Sequence, residues 1–184
     1  LGEVKPGDYA VVIGAGPIGT LVALVAQHAG ARVLVTEVNP FRIQLARDLG
    51  LNVVDAREVD VPALVAEETG TAGADVVFEV SGSAAGAELM TKLPRTRGRV
   101  VIVAIFAQPP PVNLFQFFWR ELKLCGARVD EHQDFDEAID LAASRVIPIP
   151  RLISGVYGLD GVQQALEQML KGGAVMKILI DCKS

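Results

Sequence analysis

Six residues near the start of the chain have the types and spacing of a phosphate cradle: Gly14-Ala15-Gly16-Pro17-Ile18-Gly19. They follow a short apolar run, Tyr9 to Ile13, and open a segment of helical periodicity, the setting in which such a glycine pattern takes a dinucleotide. Gly14 permits the tight turn, Gly16 lets backbone approach a pyrophosphate with no Cβ in the way, and Gly19 allows helix to pack closely on strand. Pro17 suits the first helical position, where its missing N–H would be unpaired in any case, and the amides after it, beginning with Ile18, turn the positive helix end toward a diphosphate. The bland reading is a tight strand-to-helix turn with no ligand. Glu37 follows the second strand at the interval expected after such glycines, where a carboxylate can accept hydrogen bonds from both ribose hydroxyls of an adenosine. Its bland reading is a solvated acid at a strand end.

The same charge would repel a 2′-phosphate. Arg42 pulls the other way, since a guanidinium pairs with phosphate through two parallel hydrogen bonds. No second basic residue follows Glu37 directly, because Val38, Asn39, Pro40 and Phe41 are uncharged. NAD(H) is therefore expected in preference to NADP(H).

The elements that must position these residues alternate along the chain. Tyr9 to Ile13 reads as a strand buried on both faces, and Ile18, Leu21, Val22, Val25, Ala26 and Ala29 as the apolar face of a helix ended by Gly30. Strands are expected at 32–36, 52–55, 75–79 and 99–103. Between them the spacing predicts helices at 40–49, with Asn39 as N-cap and Pro40 at the first position, at 62–69 and at 83–93. Strands alternating with helices imply right-handed crossovers, hence an α/β, doubly wound, parallel sheet of the Rossmann kind with helices on both faces. Gln108-Pro109-Pro110-Pro111 breaks the pattern, and 114–119 is a short helix or strand. Its aromatics Phe115, Phe117, Phe118 and Trp119 are divided between core packing and an exposed contact patch, core or subunit contact being favoured over a role with substrate. A sixth strand is expected at 122–127, helices at 135–143 and 161–170, and strands at 152–156 and 176–181. Residues 1–150 then form the dinucleotide-binding domain and 151–184 a C-terminal segment.

Composition narrows the class. The 184 residues carry 17 basic and 22 acidic side chains, a formal charge of −5, and 51% hydrophobic residues, enough for one ordinary domain with a full core and too apolar for disorder. The longest apolar run, Val100 to Ala107, falls well short of the roughly 18 residues that span a bilayer, so no membrane partner is expected. A pI near 5.1 without a Lys/Arg block argues against nucleic acid. Two cysteines, Cys125 and Cys182, make no disulfide framework, which fits a reducing cytoplasm. With His28 and His132 they show no metal-ligand spacing, so packing or surface roles are expected for all four. In the acidic stretch 130–137, Asp134 with Glu137 three residues on is a capping-box-like helix start rather than a metal site. The opening at Leu1 reads as that of a fragment, and 176–184 as a natural terminus.

The chain resembles the zinc-dependent medium-chain alcohol and polyol dehydrogenases, particularly the sorbitol, threonine and butanediol dehydrogenase branch. The likeness runs through essentially the whole chain and is carried by Lys5-Pro6-Gly7-Asp8, Val12 to Gly19, Thr36-Glu37-Val38-Asn39-Pro40 with Arg42, Phe78-Glu79-Val80-Ser81-Gly82, Gly98 to Val101 and Met176-Lys177-Ile178. The resemblance implies NAD-dependent oxidation of a secondary alcohol, with zinc polarising the alcohol oxygen and the nicotinamide accepting hydride. It implies that the zinc ligands lie in a separate N-terminal domain, met by the C-terminal helix and strand, so that this chain alone is inactive. By the same likeness Arg42 reaches the adenosine ribose beside Glu37, Val38 flanks the adenine, and Ile18 presses on the nicotinamide side. Val80 and Ser81 line the opposite strand end, Val103 and Ile105 sit beside the nicotinamide, and backbone around Ala127 receives its carboxamide. A homodimer through edge strand 122–127 is implied as well. Ala104-Ile105-Phe106 departs from the glycine usual after that strand, and Glu37 from the usual shorter Asp.

Two other classes stay open. A methyltransferase shares the glycine turn and the acid after strand two, but places an acid shortly before the first glycine, where Val12 and Ile13 stand. A regulatory domain that senses NAD without chemistry would have no need of the segment from Leu152 onward.

Overall fold

Strand β1 (Tyr9–Ile13) is buried along its whole length and is the spine on which the fold is laid. Helix α1 (Pro17–His28) carries the chain over one face to β2 (Arg32–Glu37), then α2 (Pro40–Asp48) leads to β3 (Asn52–Asp55). Helix α3 (Val61–Glu68) crosses back to β4 (Ala74–Glu79) on the other side of β1, followed by α4 (Ala84–Leu89), β5 (Pro94–Ile102), α5 (Leu114–Trp119) and β6 (Lys123–Gly126). The six strands run parallel in the order β3-β2-β1-β4-β5-β6. After α6 (His132–Ala143), strands β7 (Ile153–Gly158) and β8 (Lys177–Asp181), joined by α7 (Val162–Lys171), make a separate two-stranded parallel sheet. This is the expected α/β Rossmann-like sheet with a C-terminal strand pair. This computed structural model describes residues 1–183.

Side-chain alternation along β1 divides the core into two layers. Ala10 and Val12 join Ala23 and Leu24 of α1, Val35, Val76, Phe78 and Val101 on one face. Tyr9, Val11 and Ile13 join Val61 and Val65 of α3, Ala87, Met90, Val77 and Val100 on the other.

Several elements differ from expectation for identifiable reasons. The inward face of α1 is Gly19, Thr20, Ala23, Leu24 and Ala26, whereas the larger Ile18 and Val25 are exposed. At Gly19 the helix lies against the Gly14 carbonyl and admits no side chain, while further along the same face Leu24 is buried beside Ala23 and Ala26. Strand β5 begins at Pro94 rather than Arg99: Pro94 pairs with Ala74, residues 95–98 bulge, and the ladder resumes at Val76 and Arg99. A proline fits there because a first strand residue can lack its N–H. Helix α4 is shorter than its apolar pattern, its end tightening through three-residue bonds from Thr91 to Glu88 and Lys92 to Leu89. Helix α6 starts three residues early: Glu131 is its N-cap, and Asp134, expected at the cap, is the third helical residue and accepts from the Glu131 amide at 2.7 Å. In α5, Phe117 packs on the core, while Phe115, Phe118 and Trp119 are exposed, Phe115 and Trp119 stacking at 5.8 Å.

The start of β1 is tied by Asp75, which accepts from the Tyr9 amide at 2.8 Å and from Arg95 Nε at 2.7 Å. Burial pushes the Asp75 carboxyl up, but these donors outweigh it and hold the group below the usual carboxylate range. A lowered folded pKa means stability that is present above the ordinary value near 3.9 and lost as pH falls through the folded value. Asp75→Asn is therefore expected to lower the urea midpoint at neutral pH and to flatten its fall on acidification below about pH 4; an unchanged acid limb would show that Asp75 does not drive it. The second sheet has only two strands, and Val156 on β7 is 60% exposed. Such a pair is marginal, so amide exchange should be fast in β7 and β8 and slow in β1, a contrast that equal protection would contradict.

Candidate functional site

In a parallel sheet of this order, the two halves diverge between β1 and β4, and ligands enter the crevice outside the carboxyl ends of the strands there. A cleft of about 580 Å³ opens at that point. It gathers Gly14 and Gly16 from the turn after β1, Glu37, Val38 and Arg42 from the end of β2 and the start of α2, and Val80 and Ser81 from the end of β4.

The glycines have different reasons to be glycine. Gly14 has φ of +103°, a conformation costly for other residues, and its neighbour across the crevice is Ser81. A Cβ on Gly19 would lie 1.9 Å from the Gly14 carbonyl oxygen, so no side chain fits there at all. Gly16, at the N-cap of α1, is unlike both: a Cβ there would meet only Arg42 Nη1, at the ordinary distance of 3.7 Å. Nothing in the fold crowds a side chain at that position. Pro17 starts α1, and the amides of Ile18 and Gly19 in the first turn have no intrahelical acceptor.

Glu37 is 7% exposed, and its carboxylate is already engaged. It accepts from the backbone amides of Ala15 at 2.9 Å, Val38 at 2.6 Å and Asn39 at 2.9 Å. Of the roughly four lone-pair sites of a carboxylate, about one remains for a ligand. Its place in the sequence assigns Glu37 to a ribose alone; the structure makes it the clasp between the glycine turn and the end of β2. Arg42 Nη1 stands 4.0 Å from it, and Arg42 Nε is buried without a hydrogen-bond partner among the described residues.

Across the crevice Glu79, fully buried at the end of β4, plays the matching part. Its carboxylate accepts from the amides of Ser81 at 3.0 Å and Gly82 at 3.2 Å and from the Ser81 hydroxyl, fixing the turn that carries Ser81 into the cleft. Sequence reasoning gave Glu79 no role. It also missed the far wall of the cleft, Ala56, Val59 and Pro62 after β3 and Ala85 and Leu89 on α4. Their position just past the carboxyl ends of β3 and β4 was the available signal.

The remaining candidates lie elsewhere. Val103, Ile105 and Ala127 line a second cavity of about 450 Å³ at the carboxyl ends of β5 and β6, with Arg128 and Val129. The Ala127 amide is spent on Ile102 at 2.8 Å, leaving its carbonyl free of the ladder. The Ile105 carbonyl would stand 2.8 Å from a Cβ on Gly82, so the path of 104–106 depends on that glycine, whose φ is +66°. Ile18, exposed at the start of α1, lines an outer apolar groove with Leu21, Val22, Val25 and Phe78. Among the described residues no group of three or more His, Cys, Asp and Glu could hold a metal ion, so the residues present do not build a zinc site. Nor is any helix among them long and apolar enough to cross a membrane.

Residues 17–144 match the family model described as zinc-binding dehydrogenase. A 2-dehydro-3-deoxy-L-galactonate 5-dehydrogenase of Pseudoalteromonas atlantica is 48% identical over 182 residues, covering 99% of this chain and 53% of the relative. Among solved structures, 2R,3R-butanediol dehydrogenase from Bacillus subtilis superposes with a TM-score of 0.88 at 30% identity, over 97% of this chain and 52% of the other. A zinc-binding dehydrogenase of Sinorhizobium meliloti bound to NADP gives 0.86 at 28% identity, over 97% and 54%. The chain thus spans about half the length of the relatives it matches.

Removing the clasp should be felt in the fold itself. Glu37→Ala leaves the amides of Ala15, Val38 and Asn39 without their acceptor, and hydrogen bonds to a charged group contribute about 1.5–3 kcal/mol each when solvent does not replace them. Water entering the open cleft will replace part of this, so an unfolding free energy lower by about 2–4 kcal/mol is expected in urea titration; a change below about 0.5 kcal/mol would show that the clasp carries no stability.

Proposed function

The chain belongs to the zinc-binding dehydrogenase family, and from that membership we propose that it is the NAD(H)-holding half of a dehydrogenase that oxidises a secondary alcohol or polyol. The observation that carries this reading is Gly16: an open cradle at a helix N-terminus, facing a cleft wide enough for a nucleotide. The unpartnered Nε of Arg42, buried beside Glu37, is a second sign of a polar ligand.

In this reading the diphosphate lies over Gly16 and Pro17, taking the amides of Ile18 and Gly19. The adenosine ribose meets the remaining acceptor capacity of Glu37, with Arg42 beside it and Val38 flanking the adenine. Val80 and Ser81 close the opposite side, Gly14 letting them approach. The nicotinamide end reaches Val103, Ile105 and the free carbonyl at Ala127, and Ile18 borders it from α1. When bound, the nicotinamide supplies the hydride acceptor for the carbinol carbon. The chain's own contribution is to bind, orient and exclude water from that ring. The described residues offer zinc no site; the metal belongs to another part of a longer enzyme, and this chain alone turns nothing over. One of the relatives is named for a neutral diol and another for a sugar acid, and both carry a secondary hydroxyl.

The free cysteines fit a reducing cytoplasm. Strand β6 ends the sheet with one edge unpaired, and a two-fold mate adding there would close it into a homodimer.

Calorimetry tests the reading. Gly16→Ala is expected to keep the unfolding midpoint of the original chain and to weaken NADH binding at least about tenfold, since the added methyl enters only the cradle; unchanged affinity would remove the diphosphate from that place. For the two cofactors, a 2′-phosphate about 4 Å from the Glu37 carboxylate costs roughly 4 kcal/mol at an effective dielectric near 20. If about 1.4 kcal/mol survives solvent and side-chain motion, NADH binds tenfold more tightly than NADPH. Glu37→Ser should narrow that ratio and also weaken NADH, because the glycine turn loses its clasp. Equal dissociation constants for the two cofactors in the original chain would place Glu37 away from the ribose.

A further inference from the structure

The cavity at the carboxyl ends of β5 and β6 contains a cation that the fold does not use. Arg128, exposed and one residue beyond Ala127, lines it together with Val103, Ala104, Ile105 and Val129. Most arginines of this chain serve the fold through an evident partner. Arg99 pairs with Asp8, Arg95 with Asp75 at 2.7 Å and Arg97 with Glu121 at 2.7 Å, while Arg120 donates to carbonyls at the end of α4. Arg128 has no hydrogen bond or ion pair among the described residues. The acids that follow do not neutralise it through contact: Asp130 and Glu131 line a different cavity with His132, and the Glu131 amide is turned to Asp134.

We propose that Arg128 is a specificity-determining residue that receives the carboxylate of a hydroxy-acid substrate, so that the alcohol oxidised here is a sugar acid rather than a neutral polyol. The inference rests on the reading above that this cavity is the nicotinamide end of the cofactor site. A planar guanidinium offers two parallel N–H donors that match a carboxylate, a pairing a neutral hydroxyl cannot reproduce. The side chains around it, Val103, Ala104, Ile105 and Val129, offer no competing charge or hydrogen-bonding group. The diphosphate has its own cradle at Gly16, in the other cleft, so Arg128 is not needed by the cofactor's phosphates. Arg128 touches no reacting atom; its work is to orient one end of the substrate so that a hydroxyl further along the chain meets the ring.

The test compares the longer, zinc-loaded enzyme of the reading above with its Arg128→Gln and Arg128→Lys variants, using 2-dehydro-3-deoxy-L-galactonate and 2R,3R-butanediol as substrates and NADH binding as control. Arg128 is exposed and unpaired, so both variants should fold. The ratio of kcat/KM for the acid to that for the diol is expected to fall at least tenfold in Arg128→Gln, mainly through KM for the acid, with partial recovery in Arg128→Lys and NADH affinity within twofold of the original. An unchanged ratio with normal NADH binding, or an original enzyme that takes the diol and not the acid, overturns the assignment of Arg128 alone. An equally large loss of NADH affinity in Arg128→Gln makes the residue part of the cofactor site and overturns it too. Failure of the original protein to bind NADH removes the cofactor reading, and the inference with it.

Discussion

Helix α1 approaches the turn after β1 so closely that a single added carbon at Gly19 would stand 1.9 Å from the Gly14 carbonyl oxygen. Much else follows from that approach. It requires glycine at position 19, behind which Ala23, Leu24 and Ala26 fill the inward face while Ile18 and Val25 are turned outward. It brings the first turn of α1, with its unpaired amides, to the edge of the crevice instead of leaving it behind the sheet. It also forces the chain at Gly14 to φ of +103°, which in turn lets the loop after β4 come within van der Waals reach. The cleft is thus a consequence of how tightly one helix sits on one strand.

Two buried carboxylates hold the walls apart in a defined shape. Glu37 at the end of β2 and Glu79 at the end of β4 each collect backbone amides from the loop that follows, and Glu37 also reaches back to Ala15 in the glycine turn. Backbone donors at such loops must find acceptors, and a carboxylate accepts several at once. The arrangement ties the glycine turn after β1 to the end of β2 through a single side chain.

The C-terminal region obeys different physics. Strands β7 and β8 make a two-stranded parallel sheet that contributes Leu152, Val175 and Met176 to burial yet leaves Val156 and much of α7 exposed. Hydrogen bonds from Asn39 Nδ2 to the Gly173 carbonyl at 3.3 Å and from the Arg151 guanidinium to the Asp48 carbonyl at 2.8 Å tie it to the two ends of α2. Its local stability is correspondingly lower than that of the six-stranded sheet.

The sequence by itself determined the alternation of strands and helices, the parallel sheet and the place of the glycine turn, because periodicity and turn chemistry are local properties that a few neighbouring residues specify. It located Glu37, Val80 and Ser81 at strand ends and Arg42 in the helix after β2, where the crevice of such a sheet must lie. Only the tertiary structure showed that Gly19, Thr20, Ala23, Leu24 and Ala26 form the buried face of α1, with Leu21 and Val22 packed at its margin and Ile18 and Val25 exposed. Only it showed the β5 bulge after Pro94, the start of α6 at Glu131, and the engagement of Glu37 with Ala15, twenty-two residues away. Likewise the isolation of Arg128 depends on which partners lie within a few ångströms. That is a property of distant chain segments brought together, which no local pattern encodes.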